Sequence, residues 1–167
     1  PRIFHAKYGF GDASGGGFGN SMFTQNHNSE LDIRFGVWDE DESDHSSNWR
    51  ELTNLVESVE ELSSSLTGAE VFLFTDNAVS SAVFHKGNST SLLLFNLMLR
   101  LRKVQMNGLV KIWLIRVSGK RMIQQGTDGL SRGCLTEGIM NGRSMLNYIP
   151  LHLGALEVAP NLLTWVK

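Results

Sequence analysis

The chain has 167 residues, enough for one domain with a sizeable core, and a hydrophobic fraction of 41% with only 3 prolines excludes a disordered chain. Fifteen basic residues against 17 acidic ones give a net charge of -2, which excludes a tail-like electrostatic grip on nucleic acid but leaves room for a local basic patch. The single cysteine, Cys134, excludes an internal disulfide framework and fits a reducing compartment, so the expected location is intracellular, cytoplasmic or nuclear.

HAKYGFGD (5–12) reads as a short first strand ending at Asp12. GFGNSMFTQ (17–25) and LDIRFGVW (31–38) read as two more, separated by the polar turn NHNSE. In the last of these Leu31, Ile33, Phe35 and Val37 alternate with Asp32, Arg34, Gly36 and Trp38, the period of a half-buried strand. Short connections make the three an antiparallel meander. DEDESDHSS (39–47) then reads as a solvated acidic loop. From 48 to 68 the period becomes helical, with Trp49, Leu52, Val56, Val59 and Leu66 on one side. Ser47 or Asn48 would cap this helix and Gly68 would stop it.

AEVFLFTDN (69–77) is apolar nearly throughout and reads as a central strand ending in Asp76 and Asn77. A short helix follows in AVSSAVFHKG, and a longer one at 91–108 with Ser91 near its cap and Gly108 as its stop. LVKIWLIRV (109–117) is another strand, and GKRMIQQGTDGLSRG combines a loop with a short helix. The four tryptophans, Trp38, Trp49, Trp113 and Trp165, are expected to pack in the core or an interface. This order predicts a mixed α/β layer structure with late crossover connections. No apolar run approaches the roughly 20 residues of a membrane helix, and residues 1–4 do not resemble the charged and apolar regions of a signal peptide. A first residue of proline fits a processed product or an excised piece.

Asp12 and Asp76 fall at strand ends, Glu51 at the start of a helix and Asp128 beside the last short one. In an open α/β sheet such positions can converge on one edge crevice. Carboxylates gathered there would repel one another, and hard divalent cations such as Mg²⁺ or Mn²⁺ are the natural compensation. Two such ions can activate water and stabilise a leaving oxygen in phosphodiester hydrolysis. Each residue also has a plain structural reading. Asp12, Asp76 and Asp128 suit turns, and with Asn48 as cap Glu51 would be a capping-box glutamate.

Taken together and in order, FGDASGGGFG, NWREL, FLFTDN and GTDGLSRG resemble the ribonuclease H-like domain of retroelement reverse transcriptases. HKGNSTS after TDNAV, the QQGTDGLSRG segment and the C-terminal PLHLGAL…NLLTW stretch resemble the tyrosine-recombinase-bearing, DIRS-like group more narrowly. The resemblance implies a ribonuclease H-like five-stranded mixed sheet with helices on both faces over residues 1–134, and a C-terminal extension at 135–167 packed on it or on a missing partner. It further implies a catalytic and metal-binding set of Asp12, Glu51, Asp76 and Asp128 holding two Mg²⁺ ions, with Mn²⁺ able to substitute. The implied reaction is hydrolysis of the RNA strand of an RNA–DNA hybrid, leaving 3′-hydroxyl and 5′-phosphate ends. The implied partners are that hybrid and a neighbouring reverse transcriptase domain in a parent polyprotein.

One departure stands out: many relatives carry a histidine near the final aspartate, and no histidine lies between His85 and His152. The loss bears on product release and proton movement more than on metal chemistry, and keeps open a catalytically weak or inactive domain that only binds nucleic acid. Ser14, Gly15, Gly16 and Asn77 neighbour the carboxylates and are expected to meet the substrate backbone, with Lys120 and Arg121 on its phosphates. Arg100, Arg102 and Lys103 either add to that contact or form a solvated helix face.

Overall fold

The strand pairing follows from where the chain turns. β1 (Ala6–Ala13) pairs antiparallel with β2 (Gly17–Thr24), which pairs antiparallel with β3 (Asp32–Val37). β4 (Glu70–Thr75) returns parallel to β1 on its other side, and β5 (Lys111–Arg116) runs parallel to β4. The result is one five-stranded mixed sheet in the order β3-β2-β1-β4-β5. The computed structural model describes residues 6–24 and 32–133. The expected turn at 26–30, His5, Leu31, Cys134, His152, Trp165 and the extension at 135–167 lie outside the described residues.

Register sorts the side chains onto two faces. Tyr8 and Phe10 of β1 stand beside Phe72 and Phe74 of β4 and stack on them, and Phe72 stacks on Trp113 of β5. The alternate positions, Met22, Val71, Leu73, Ile112 and Leu114, enter the main core. Helix α2 (Ser47–Glu61) lies against that core with Leu52, Leu55, Val56 and Val59 at helical spacing. Each such side chain, fully buried, contributes about 1.5–3 kcal/mol. Helix α5 (Leu92–Gly108) packs beside it through Leu94, Leu97, Met98 and Leu101, and α4 (Ala78–Lys86) adds Val83 and Phe84. Across the sheet, α6 (Gly119–Gln125) and α7 (Thr127–Leu130) meet at Gly126, whose φ of 105° suits glycine. α7 approaches β2 so closely that a Cβ on Gly19 would lie 2.3 Å from Leu130 Cβ.

Several expectations need correction. The acidic stretch after β3 is not all loop: α1 (Glu40–Ser43) forms one turn, closed by a capping box between Asp39 and Glu42. Helix α2 starts at Ser47 and is capped one residue before the earlier of the two expected caps, with Ser46 accepting from the Trp49 N–H. It ends at Glu61, and a separate short helix, α3 (Ser63–Leu66), precedes Gly68. The long-helix expectation failed because Leu62, at ψ 7°, leaves the helical path without any glycine or proline to announce it. Trp113 is 40% exposed, because the edge position of β5 leaves it with Phe72 on one side and Lys111 over its ring. Trp38 is buried, as expected, and Trp49 packs against the core.

Candidate active site

The C-terminal ends of β1 and β4 are neighbours in the middle of the sheet, where the connections leave in opposite directions. Such a switch point opens a crevice at the strand ends. Phe10 pairs with Phe74, and two residues further along both strands the chain places Asp12 and Asp76. Glu51, in the second turn of α2, reaches the same edge, and its Oε1 accepts the Ala13 N–H at 3.1 Å. One oxygen from each of Asp12, Glu51 and Asp76 lies within 4.8 Å of the others.

These groups are poorly hydrated. Asp12 is 4% exposed and Glu51 7%. Burial, then the charges of Glu51 and Asp76, push the Asp12 carboxyl up to about 10, with hydrogen bonding to Glu51 and Asp128 adding to the rise. Burial pushes Glu51 up to about 7 against the lowering effect of its bond with Asp12, the Ala13 N–H and the Arg50 charge. Asp76 is raised by burial, and also by Asp128, while its own backbone N–H and Arg116 oppose the rise. Glu51 Oε2 is buried and has no hydrogen-bond partner. A buried carboxylate oxygen without a donor costs stability unless a cation or proton meets it. Three converging carboxylates, one of them with an orphaned oxygen, suit a hard divalent cation.

Asp128 lies outside that 4.8 Å cluster but shares a hydrogen bond with Asp12. It opens α7 on the opposite face from α2 and is close enough to Asp12 and Asp76 to raise both. Its Oδ2 accepts from Arg132 Nη1 at 2.6 Å, one helical turn away. The capping-box reading of Glu51 falls away, since with Ser46 as cap the box position is held by Trp49 and Glu51 bonds to β1 instead.

The other expected residues divide. Ser14 Oγ donates to the Ser131 carbonyl at 3.0 Å and accepts from the Gly17 N–H, tying the β1–β2 turn to the end of α7. Gly15 and Gly16 form the exposed tip of that turn, with nothing within 4 Å of where a Cβ would stand. Asn77 caps α4 through the Ser80 N–H and donates to Asn48 Oδ1 at 3.0 Å, so its amide is engaged on both sides. Lys120 is exposed and Arg121 half-buried at the start of α6, which approaches the site: a Cβ on Gly119 would stand 3.4 Å from Asp76 Oδ2. Arg100 pairs with Glu60, and Arg102 donates to the Phe84 carbonyl and covers the Phe84 ring. His85 meets the Leu114 carbonyl, away from the carboxylates. Sequence reasoning missed Asn48, Asn54 and Arg132. The signal for Asn54 was a polar residue one turn beyond Glu51 among the helix's apolar positions.

No protein-family model matches the chain, and no curated protein matches it in sequence. Solved structures do match. RNase H1 from the halophilic archaeon Halobacterium salinarum superposes with a TM-score of 0.58 at 12% identity, over 80% of this chain and 98% of its own. LC11-RNase H1, solved with an RNA/DNA hybrid, gives 0.58 at 14% identity over 78% and 95%. The N-terminal RNase H domain of rv2228c from Mycobacterium tuberculosis gives 0.57 at 14% identity over 80% and 94%. The fold is therefore ribonuclease H-like: α/β, a five-stranded mixed sheet flanked by helices.

Proposed function

We propose that this chain is a divalent-metal-dependent endonuclease of the ribonuclease H type that hydrolyses the RNA strand of RNA–DNA hybrids during reverse transcription. In the finer reading it is a domain of a retroelement reverse transcriptase, of the DIRS-like group, comprising residues 1–134 with an extension at 135–167. The observation that carries the proposal is the convergence of one oxygen from each of Asp12, Glu51 and Asp76, in a site where Glu51 Oε2 is buried without a hydrogen-bond partner. The fold supports it, and so does the hybrid bound to one of its structural neighbours.

Asp12, Glu51, Asp76 and Asp128 would together hold the Mg²⁺ or Mn²⁺ ions, the first three as the clustered donors and Asp128 as the fourth. Bound there, the ions would activate water and stabilise the leaving oxygen. Water attacks phosphorus and the bond to the 3′ oxygen breaks, leaving 3′-hydroxyl and 5′-phosphate ends. No side-chain nucleophile is required. The exposed Ser14–Gly16 turn admits the backbone of the hybrid beside Asp12, and Lys120 and Arg121 would take its phosphates. Since Asn77 is bonded to Asn48, the two amides approach substrate as one unit.

A labelled RNA–DNA hybrid incubated with the chain and Mg²⁺ or Mn²⁺ is expected to lose its RNA strand to internal cleavage. Asp12→Asn and Asp76→Asn are each expected to lower the rate at least about 100-fold, on the scale of a lost electrostatic contact in a transition state. Persistent cleavage by both purified variants would sink the assignment. A second reading rests on the Asp128–Arg132 ion pair and the absent histidine: a domain that binds hybrid without cutting it. Binding without cleavage in every metal tested would favour that reading.

A further inference from the structure

The geometry points to Asn54 as a positioning residue, one that holds the Asp12-bearing strand end against α2 independently of what Glu51 is doing. The inference rests on the metal-site reading above and adds to it. Asn54 is 0% exposed, and all its polar atoms are used. Its Nδ2 donates to the Asp12 carbonyl at 3.0 Å and to the Gly19 carbonyl at 2.9 Å, while its Oδ1 accepts from Asn20 Nδ2 at 2.8 Å. One side chain on α2 thus grips β1 and β2 where their ladder ends. Gly11 makes room for it: a Cβ there would stand 3.4 Å from Asn54 Nδ2 and 2.7 Å from Leu55 Cδ2.

The bond that matters most is the one to Asp12. The Asp12–Ala13 peptide is held by α2 at both of its ends, the carbonyl by Asn54 and the N–H by Glu51 Oε1. The Ala13 N–H is also within 3.0 Å of Asp12 Oδ1. Glu51 has two calls on it, since the oxygens that would ligate a cation belong to the same carboxylate that holds Ala13. A cation drawing on Glu51 weakens its hold on the peptide. Asn54 is neutral, is no ligand, and sits one helical turn away, so its grip persists and the Asp12 carboxylate keeps its place. A merely structural asparagine would add stability without making the metal affinity depend on it.

The test compares Asn54→Ala, Asn20→Ala and Val59→Ala. Val59 is buried in the core on the same helix, two turns beyond Glu51. Each full-length protein, shown folded by circular dichroism, is titrated with Mn²⁺ by calorimetry, and Ala13 amide exchange is read by NMR without metal. Asn54→Ala is expected to bind Mn²⁺ about 10-fold or more weakly, the cost typical of losing a partner that orients a ligand. Its Ala13 amide should exchange at least about 10-fold faster, since the exchange tracks local opening. Asn20→Ala, which removes only the bond to Asn54 Oδ1, should shift both in the same direction by less, and it serves where Asn54→Ala fails to fold. Val59→Ala should lower the melting temperature and move neither. Equal Mn²⁺ affinity and equal Ala13 exchange in the Asn54 and Asn20 variants and the wild type overturns the proposal, as does an equal effect from Val59→Ala. If the wild type binds no Mn²⁺, the metal reading falls on its own, and Ala13 exchange alone decides whether Asn54 positions the strand.

Discussion

Asp12 is a carboxyl that the folded protein holds protonated far above its ordinary range, and that has a consequence for stability. Unfolded carboxylates titrate near about 4, whereas the folded protein keeps a proton on Glu51 up to about 7 and on Asp12 up to about 10. Between those limits the native state binds more protons than the unfolded one, so stability falls as pH rises. The contribution is whole below about 4, and is lost as pH climbs through the folded values. In chelator, the melting temperature should therefore drop between pH 5 and pH 8. Asp12→Asn removes the group on which burial and repulsion fall hardest, and should melt about 3 °C or more above the wild type at pH 8, roughly the effect of 1 kcal/mol in a chain of this size. Saturating Mg²⁺ should restore the wild type and leave the variant unmoved. A variant that melts lower than the wild type at pH 8 without metal would show that the gathered carboxylates are not a cost. Under the proposed function the same variant should lose cleavage, which would separate stability from function at one residue.

At the level of elements, the site depends on α7 lying flat against β2. A Cβ added at Gly19 would stand 2.3 Å from Leu130 Cβ and 2.8 Å from both Leu130 C and Ser131 N. Two of those three contacts are backbone, so no rotamer change relieves them. Gly19→Ala should cost about 1–3 kcal/mol by overpacking and push α7, with Asp128, away from the sheet. Calorimetry should then show Mn²⁺ still binding at Asp12, Glu51 and Asp76 while hybrid cleavage falls. Unchanged stability and rate would mean that α7 yields without consequence. This dependence was hidden in the sequence, where Gly19 is one glycine among several and Leu130 lies more than a hundred residues on. What local period governs was legible in the apolar run of β4 and the helical spacing of α2. The alternation in β3 marked a strand but not its buried side: Ile33, Phe35 and Val37 are exposed and Arg34 and Gly36 half-buried, because β3 is the edge strand and no described helix covers its apolar positions. What depends on polar capping was less so. Asp39 and Glu42 make a helical turn from a run that reads as solvated loop, and Ser46 caps α2 where Ser47 and Asn48 compete for the role. The carboxylates were legible as residues because strand ends and helix starts are marked by local pattern. Their division into a buried pair, Asp12 and Glu51, and a half-buried pair, Asp76 and Asp128, was not, since it depends on which faces α2 and α7 cover.

Across the whole molecule, the proposed nuclease would have to attract a polyanion with a chain that carries a net charge of -2. Most described cations near secondary structure are already engaged. Arg34 pairs with Glu57 and Glu61, Arg100 with Glu60 and Arg132 with Asp128. Arg50 and Arg102 hold backbone carbonyls, and Lys111 lies over Trp113. Close to the carboxylates, the exposed basic groups that no described ion pair engages include Arg116 and Lys120, at the end of β5 and the start of α6. Hybrid binding by this chain should thus be weak and shallow in its salt dependence, because few counterions are released from the phosphates. Fluorescence anisotropy with a labelled hybrid in chelator, repeated across salt concentrations, measures this slope without cleavage. Lys120→Ala should reduce the slope by about 0.7–0.9, one phosphate contact. Arg100→Ala should leave it unchanged, since that guanidinium is held by Glu60 on the flank formed by α2 and α5. Were Arg100→Ala to flatten the slope and Lys120→Ala not, the hybrid would cross α5 instead of the strand ends. The four carboxylates would then sit beside the nucleic acid rather than beneath its scissile bond, and the binding-only reading would take precedence over the nuclease.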